Sequence, residues 1–270
     1  MSDAAIPELS GRPVALVTGA TGAIGKAIAR QIATRREYAV VLACRNEERA
    51  ARAVAEIRHA TGNAKVRHEL VDVSRKASVD ALATRWRGPL HVLVNVAADT
   101  PRRRRETPEG LEVQCATNVL GYFWMIQAFS EILRRSAPAR VVNVASYWAG
   151  DLDLTDLEFK RREYSSGEAY RQSKQADRML TVAFAERLKP FGVTVNACHP
   201  GDVNSTLSNS LGFGGHESPD DGARTPVWLA LDPALQPVTG KYFEHLRETP
   251  CPFARNRQAI EALYAACSRF

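Results

Sequence analysis

The stretch PVALVTGATGAIGKAIARQIA, residues 13–33, decides the fold. Its first five residues are apolar and the run is partly β-branched, as a buried strand requires, and from Ala23 the apolar residues recur at helical spacing. Between them lie glycines at 19, 22 and 25. A chain that turns sharply out of a strand into a helix needs glycine where backbone approaches backbone. The same turn can bring N–H groups and a helix N-terminus against a pyrophosphate. The spacing is not GxGxxG, so its context of strand before and helix after carries the reading.

Outward from this unit the pattern repeats. Strand-like runs are expected at 38–44, 65–73, 90–97, 139–146, 193–199 and 240–244. The segments between them are longer and helical: one starts on the cap Asn46 and stops at Gly62, and others span 109–135 and 167–189 before Pro190. Strands alternating with helices predict an α/β fold, a doubly wound parallel sheet of about seven strands with helices on both faces. The chain of 270 residues reads as one domain over 1–270.

Five cysteines without CxxC or Cys/His ligand spacing suggest neither disulfides nor a metal site, and a reduced, cytoplasmic protein is expected. The stretch MSDAAIPELSGRP has neither a basic nor an apolar leader region, and no window reaches the eighteen apolar residues of a membrane span, so no membrane association is expected. The net charge of +6 includes the run PRRRR at 101–105. Its arginines are spread over loops and helix ends without interleaved aromatics, which reads as solvated surface and no nucleic acid.

The end of the second strand bears on the cofactor. A site for NAD usually places an acid there for the ribose 2′-OH, and that acid repels a 2′-phosphate. Here the sequence is Ala43-Cys44-Arg45-Asn46. With no acid, and with the planar cation of Arg45, NADP(H) is preferred and NAD(H) is the second option.

Tyr170 and Lys174 lie four apart at the start of a helix, on one face and about 6 Å apart along the axis. Ser146 closes a strand upstream. Tyrosine ionises near 10, and a nearby ammonium favours the phenolate. Lys174 is therefore expected to lower the tyrosine by about two to three pH units. In reduction Tyr170 would give a proton to a carbonyl oxygen that Ser146 also hydrogen-bonds.

These motifs, in this order, resemble the short-chain dehydrogenase/reductase family over essentially the whole chain. The pieces LACRNEE, NACHPGDVNS and VTGKYF are similar to its retinol-dehydrogenase-like branch. The resemblance implies a Rossmann fold and a catalytic set of Ser146, Tyr170, Lys174 and Asn118. Lys174 would also hold the nicotinamide ribose, and Asn118 would position a water in a proton relay. Cofactor contacts are implied for Gly19, Thr21, Gly22, Ile24 and Gly25 in the turn and for Arg45 and Asn46 after the second strand. Asp72 and Val73, then Asn95 and Ala97, would follow the third and fourth strands. Pro200, Gly201, Val203 and Ser205 would follow the sixth, a hydroxyl there meeting the nicotinamide amide.

Two features depart from the family pattern. The family's glycine at the position of Ala23 stands one place earlier, as Gly22. Val96 and Ala98 replace an Asn and a Gly beside the cofactor, where their extra methyl groups would crowd it. A catalytically impaired NADP(H)-binding regulatory or scaffold protein is the alternative that these substitutions raise.

Segments 147–168 and 203–222 are read as pocket wall and lid, with Trp148, Tyr164 and Phe213 as substrate contacts. A hydrophobic ketone, aldehyde or secondary alcohol is the expected substrate, as for a carbonyl reductase. His199 and His216 are read as structural or exposed. Family analogy implies a homodimer through the helices at 109–135 and 167–189.

Overall fold

The computed structural model describes residues 11–270; the N-terminal reading of residues 1–10 lies outside them. The strand read around 13–18 is β1 (Val14–Thr18), followed by α1 (Ala23–Thr34), β2 (Ala39–Cys44), α2 (Glu47–Thr61), β3 (Val66–Leu70), α3 (Lys76–Arg85) and β4 (Val92–Asn95). After a π-helical turn at Cys115–Leu120 come α4 (Gly121–Arg135), β5 (Ala139–Val144), α5 (Ser166–Leu188) and β6 (Val193–Cys198). The chain then forms α6 (Thr206–Ser210), α7 (Pro219–Leu231), β7 (Tyr242–Glu244), β8 (Arg247–Thr249) and α8 (Arg257–Cys267).

The strands form one sheet in the order β3-β2-β1-β4-β5-β6-β7-β8. Seven are parallel, as the alternation predicts. The eighth pairs antiparallel with β7 across a turn in which His245 and Leu246 both have positive φ. Strand order reverses between β1 and β4, and in doubly wound sheets the crevice at that point is where ligands sit.

Each face buries its own core. Val17, Leu42 and Val94 point to the side covered by α1, α2 and α7, and Leu16, Val41 and Leu93 to the side of α3, α4 and α5. The helix predicted from Asn46 to Gly62 forms with both caps: Asn46 accepts from the Arg49 amide, and Gly62 is left-handed.

The helix α8 lies over α4 and α5. Ile260, Leu263 and Cys267 complete the core there, and the Tyr264 ring stacks edge-on against Phe123 and Phe184 at 5.1 and 5.3 Å. Arg187 pairs with Glu261, and Arg257 with Glu186. The outer face assigned to a homodimer is thus occupied by the chain's own α8, a segment the sequence reading left without a role.

Candidate active site

The C-terminal ends of β1, β4, β5 and β6 converge on one crevice. Thr18 fixes two of them to each other: its hydroxyl accepts from the amides of Val96 at 2.9 Å and Ala97 at 3.2 Å. Gly19 follows at φ +63°, and a Cβ there would stand 2.8 Å from the Ala97 backbone. Gly25 packs equally closely beneath the carbonyl of Gly19. Above Gly22 a Cβ would meet only the Gly19 carbonyl, at 3.3 Å, so the cradle is open where a side chain would fill it. Gly22 caps α1 without a side chain, and no acid stands in the first turn, so the helix N-terminus is left available to an anion. Thr21 and Ile24 are half-buried along this turn.

Arg45 is exposed beyond β2, with Asp99 across the crevice at 3.9 Å. Asn46 is committed to capping α2. A second cation that sequence reading missed is Arg49, whose guanidinium reaches the Thr21 carbonyl at 3.5 Å. Its position one turn into α2 carries the signal, because that turn faces the glycine-rich loop.

Several side chains expected at the cofactor are engaged within the protein. Asn95 is fully buried and donates to Asn143 at 2.9 Å, because strand parity sends it with Leu93 into the core beneath α4 and α5. The side chain of Val73 is likewise in that core, leaving only its backbone for a nucleotide. Asp72 remains half-exposed, with one carboxylate oxygen accepting from Ser74. Ser205 caps α6 in a reciprocal capping box with Ser208, so its hydroxyl is engaged. Pro200 and Gly201 reach the crevice; Gly201 lies against the Glu217 carboxylate, and Val203, bridged to Glu217, is buried.

Val96 is half-buried and packs against the core under α1 and α7. Ala97 and Ala98 are half-buried along the crevice.

The catalytic candidates come together. Tyr170 and Lys174 are buried on one face of α5, with the Lys174 ammonium 5.8 Å from the Tyr170 ring. Ser146, just past the end of β5, lies near enough to the Tyr170 phenol to ease its ionisation, and its own hydroxyl accepts from the Trp148 amide at 3.1 Å. Asn118 lies within the π-helical turn, a deformation often found at functional sites. Its side chain accepts from the Asp99 amide and donates to the Asp99 carbonyl and to Ser173.

The electrostatics differ from expectation in one respect. Burial raises Tyr170 above its ordinary value, and Lys174 and the Ser146 hydrogen bond only partly offset it. Burial is the largest influence on Lys174 and opposes its charge, but Asp177, Tyr122 and Tyr170 together outweigh it and hold the lysine protonated above its ordinary range. Asp177, 2.8 Å from the ammonium, is a neighbour that the sequence reading missed.

Of the three substrate candidates, two line the mouth. Trp148 lies 6.0 Å from the Tyr170 ring and stacks edge-on with Phe213, 5.4 Å away. Tyr164 instead braces the wall, donating to the Pro101 carbonyl and accepting from Gln114. Tyr147, 55% exposed and edge-on to His199, shares the mouth and went unnoticed. His199 is buried, and burial drives it down to about 3; His216 is exposed.

Among the described residues no group of three or more His, Cys, Asp or Glu is gathered to hold a metal, and no helix is long and apolar enough to cross a membrane.

A family model described as short chain dehydrogenase matches residues 13–212. Mouse retinol dehydrogenase 13 is 35% identical, over 94% of this chain and 82% of its own length. Human retinol dehydrogenase 12 is 36% identical, over 93% and 84%. Among solved structures, an uncharacterized protein from Mycobacterium paratuberculosis aligns at TM-score 0.78 and 26% identity, covering 100% of this chain and 96% of its own. An actinorhodin polyketide ketoreductase solved with NADPH aligns at TM-score 0.66 and 25% identity, covering 91% and 98%.

Proposed function

Because this chain belongs to the short-chain dehydrogenase/reductase family, in its retinol-dehydrogenase-like branch, and is thereby an oxidoreductase acting on CH–OH groups, we propose that it transfers hydride between NADP(H) and a hydrophobic ketone, aldehyde or secondary alcohol. The observation that carries this reading is the convergence of Ser146, Tyr170 and Lys174 beside the open cradle over Gly22.

The residues present fit a dinucleotide phosphate. The turn from Gly19 to Gly25 would hold the pyrophosphate, Arg45 and Arg49 the 2′-phosphate, and Asp72 the adenine end. When bound, the nicotinamide supplies or accepts the hydride. Ser146 would hold the substrate oxygen toward Tyr170, which gives it a proton in reduction and takes one in oxidation. Lys174 keeps a permanent positive charge next to that exchange. Trp148 and Phe213 offer aromatic area to an apolar substrate, and all-trans-retinaldehyde is a suitable first probe given the relatives' names.

The test is a titration of the protein with NADPH and with NADH, followed by reduced-nicotinamide fluorescence, and then the retinaldehyde assay. NADPH is expected to bind at least about tenfold more tightly, a difference of about 1.4 kcal/mol. Arg45→Asp should remove that preference by placing a carboxylate where the 2′-phosphate would lie. Equal NADPH affinity in that variant would show that Arg45 does not read the phosphate.

We also read the chain as working without a partner copy on the α4/α5 face, because α8 covers it. Light scattering is then expected to give the mass of one chain. A dimer that persists when the α8 surface is altered by Glu261→Lys would place the interface elsewhere, and one that dissociates would place it at α8.

A further inference from the structure

Pairing of β5 with β6 ends at Val144 opposite Cys198, and the Ala145 amide makes the last bond of that edge, to the Cys198 carbonyl at 2.8 Å. The Ser146 carbonyl lies past the ladder. It receives no backbone N–H among the described residues and accepts instead from the guanidinium of Arg178, just as the Val144 carbonyl accepts from Lys174 at 3.1 Å. Two carbonyls of the β5 exit are thus held from α5.

Arg178 stands four residues beyond Lys174 and eight beyond Tyr170, so all three share one face of α5. A helical side chain leans toward the N-terminus of its helix, and arginine is long enough to reach back to Ser146. Its guanidinium stacks on the Tyr242 ring of β7, 3.5 Å from the centroid. The Glu244 carboxylate oxygen that accepts from the Tyr242 hydroxyl lies 3.9 Å from it.

A buried guanidinium costs desolvation free energy that an apolar side chain of similar length would avoid. Its Nε has no acceptor among the described residues, and Glu244 is beyond hydrogen-bond distance. What arginine supplies and methionine would not is a charged donor at the Ser146 carbonyl. The segment that follows closes on itself: the Ser146 hydroxyl accepts from the Trp148 amide, and the Ala149 amide donates to the Tyr147 carbonyl at 2.9 Å. Those bonds shape the turn, and the Arg178 bond ties it to α5, the helix that carries Tyr170. A displacement of about 1 Å at a reacting group can cost about a hundredfold in rate.

We propose that Arg178 is a positioning residue for Ser146: held by Tyr242 and Glu244 of β7, it fixes the Ser146 carbonyl and thereby the place of the serine hydroxyl beside Tyr170. The inference rests on Ser146 being the group that holds the substrate oxygen, and its test separates the two.

The test is a double-substitution cycle read by single-turnover reduction of retinaldehyde at saturating NADPH. Ser146→Ala is expected to lower the rate by about a hundredfold or more, and Arg178→Met by about tenfold to a hundredfold. Because Arg178 acts through the serine, the pair should lose no more than Ser146→Ala alone. NADPH affinity should stay within about twofold, and Arg178→Met should melt close to the wild type, since an apolar side chain replaces a buried charge. Amide hydrogen exchange gives a readout that needs no turnover. The Trp148 and Ala149 amides should exchange about tenfold faster in Arg178→Met, while those of α4 keep their wild-type rates.

Losses that multiply in the double variant overturn the proposal, because they make Arg178 a general support of the fold. Wild-type turnover in Arg178→Met overturns it as well. Should that variant fail to fold, Arg178→Lys, which keeps the charge but not the planar stack on Tyr242, carries the same cycle and the same outcomes. A wild type without turnover would count against the catalytic reading instead. Exchange at Trp148 and Ala149 then decides on Arg178, and unchanged rates there overturn its role.

Discussion

Tyr170→Phe is expected to lower kcat by about three orders of magnitude or more, equivalent to about 4 kcal/mol of transition-state stabilisation. The Tyr170 phenol lies beside both Ser146 and Lys174. Tyr122, another phenol near the lysine, donates to the Val144 carbonyl and is buried. The substitution keeps the ring, which is buried against Trp148, and leaves Ser146 its hydrogen bond from the Trp148 amide. Stability should therefore change by only about 1 kcal/mol, the usual net value of one hydrogen bond. NADPH affinity should stay within about twofold, because the turn at Gly19 to Gly25 and the cations Arg45 and Arg49 are untouched. Melting temperature, cofactor titration and single-turnover reduction of retinaldehyde together check this. Retained turnover would remove Tyr170 from the mechanism, whereas lost NADPH binding would make its role structural.

The parts of the fold that were legible in the sequence are those with a strong local cause. Asn46 and Gly62 bound α2 because a side-chain acceptor and a left-handed residue satisfy the helix ends. The hairpin of β7 and β8 was not legible: its turn uses His245 and Leu246 at positive φ where glycine or asparagine would signal it, and β8 has only three residues. The π-helical turn has no compositional mark at all. It nevertheless places Asn118 against Asp99 and Ser173.

At the site, Tyr170, Lys174 and Ser146 could be found because their chemistry depends on spacing along one helix and on a strand end. The burial of the Asn95 side chain could be read from strand parity, since Leu93 and Asn95 must share a face. Asp177 could not be found by periodicity. A charged residue on a helix reads as solvent-facing, and only the packing of α8 and β6 around α5 makes its position dry. The same packing sets α8 over α4 and α5, and nothing in the pattern of Arg257 to Cys267 says which face that helix will cover.

Gly19→Ala should be a strongly damaging small substitution at the crevice. The new methyl group would be held at φ +63°, a region that costs a non-glycine residue about 1–2 kcal/mol, and would stand 2.8 Å from the Cα and 3.0 Å from the amide nitrogen of Ala97. Neither atom can yield easily, because the Ala97 amide is tied to the Thr18 hydroxyl at the exit of β4. Gly25→Ala meets the same obstacle from the other side, with its Cβ 2.5 Å from the Gly19 carbonyl oxygen. Each is expected to cost about 3 kcal/mol or more, which for a chain of this size lowers the melting temperature by about 6–12 °C. NADPH binding should fall by about a hundredfold or more as the turn opens. Gly22→Ala separates packing from binding: its φ is −82°, and its only close contact would be 3.3 Å. That variant should melt close to the wild type, yet its methyl group would occupy the open cradle and weaken NADPH. Were Gly22→Ala instead to bind NADPH normally, the pyrophosphate could not lie over this turn. Were Gly19→Ala to melt like the wild type, the contact between the turn and the β4 exit would not be the constraint that shapes the crevice.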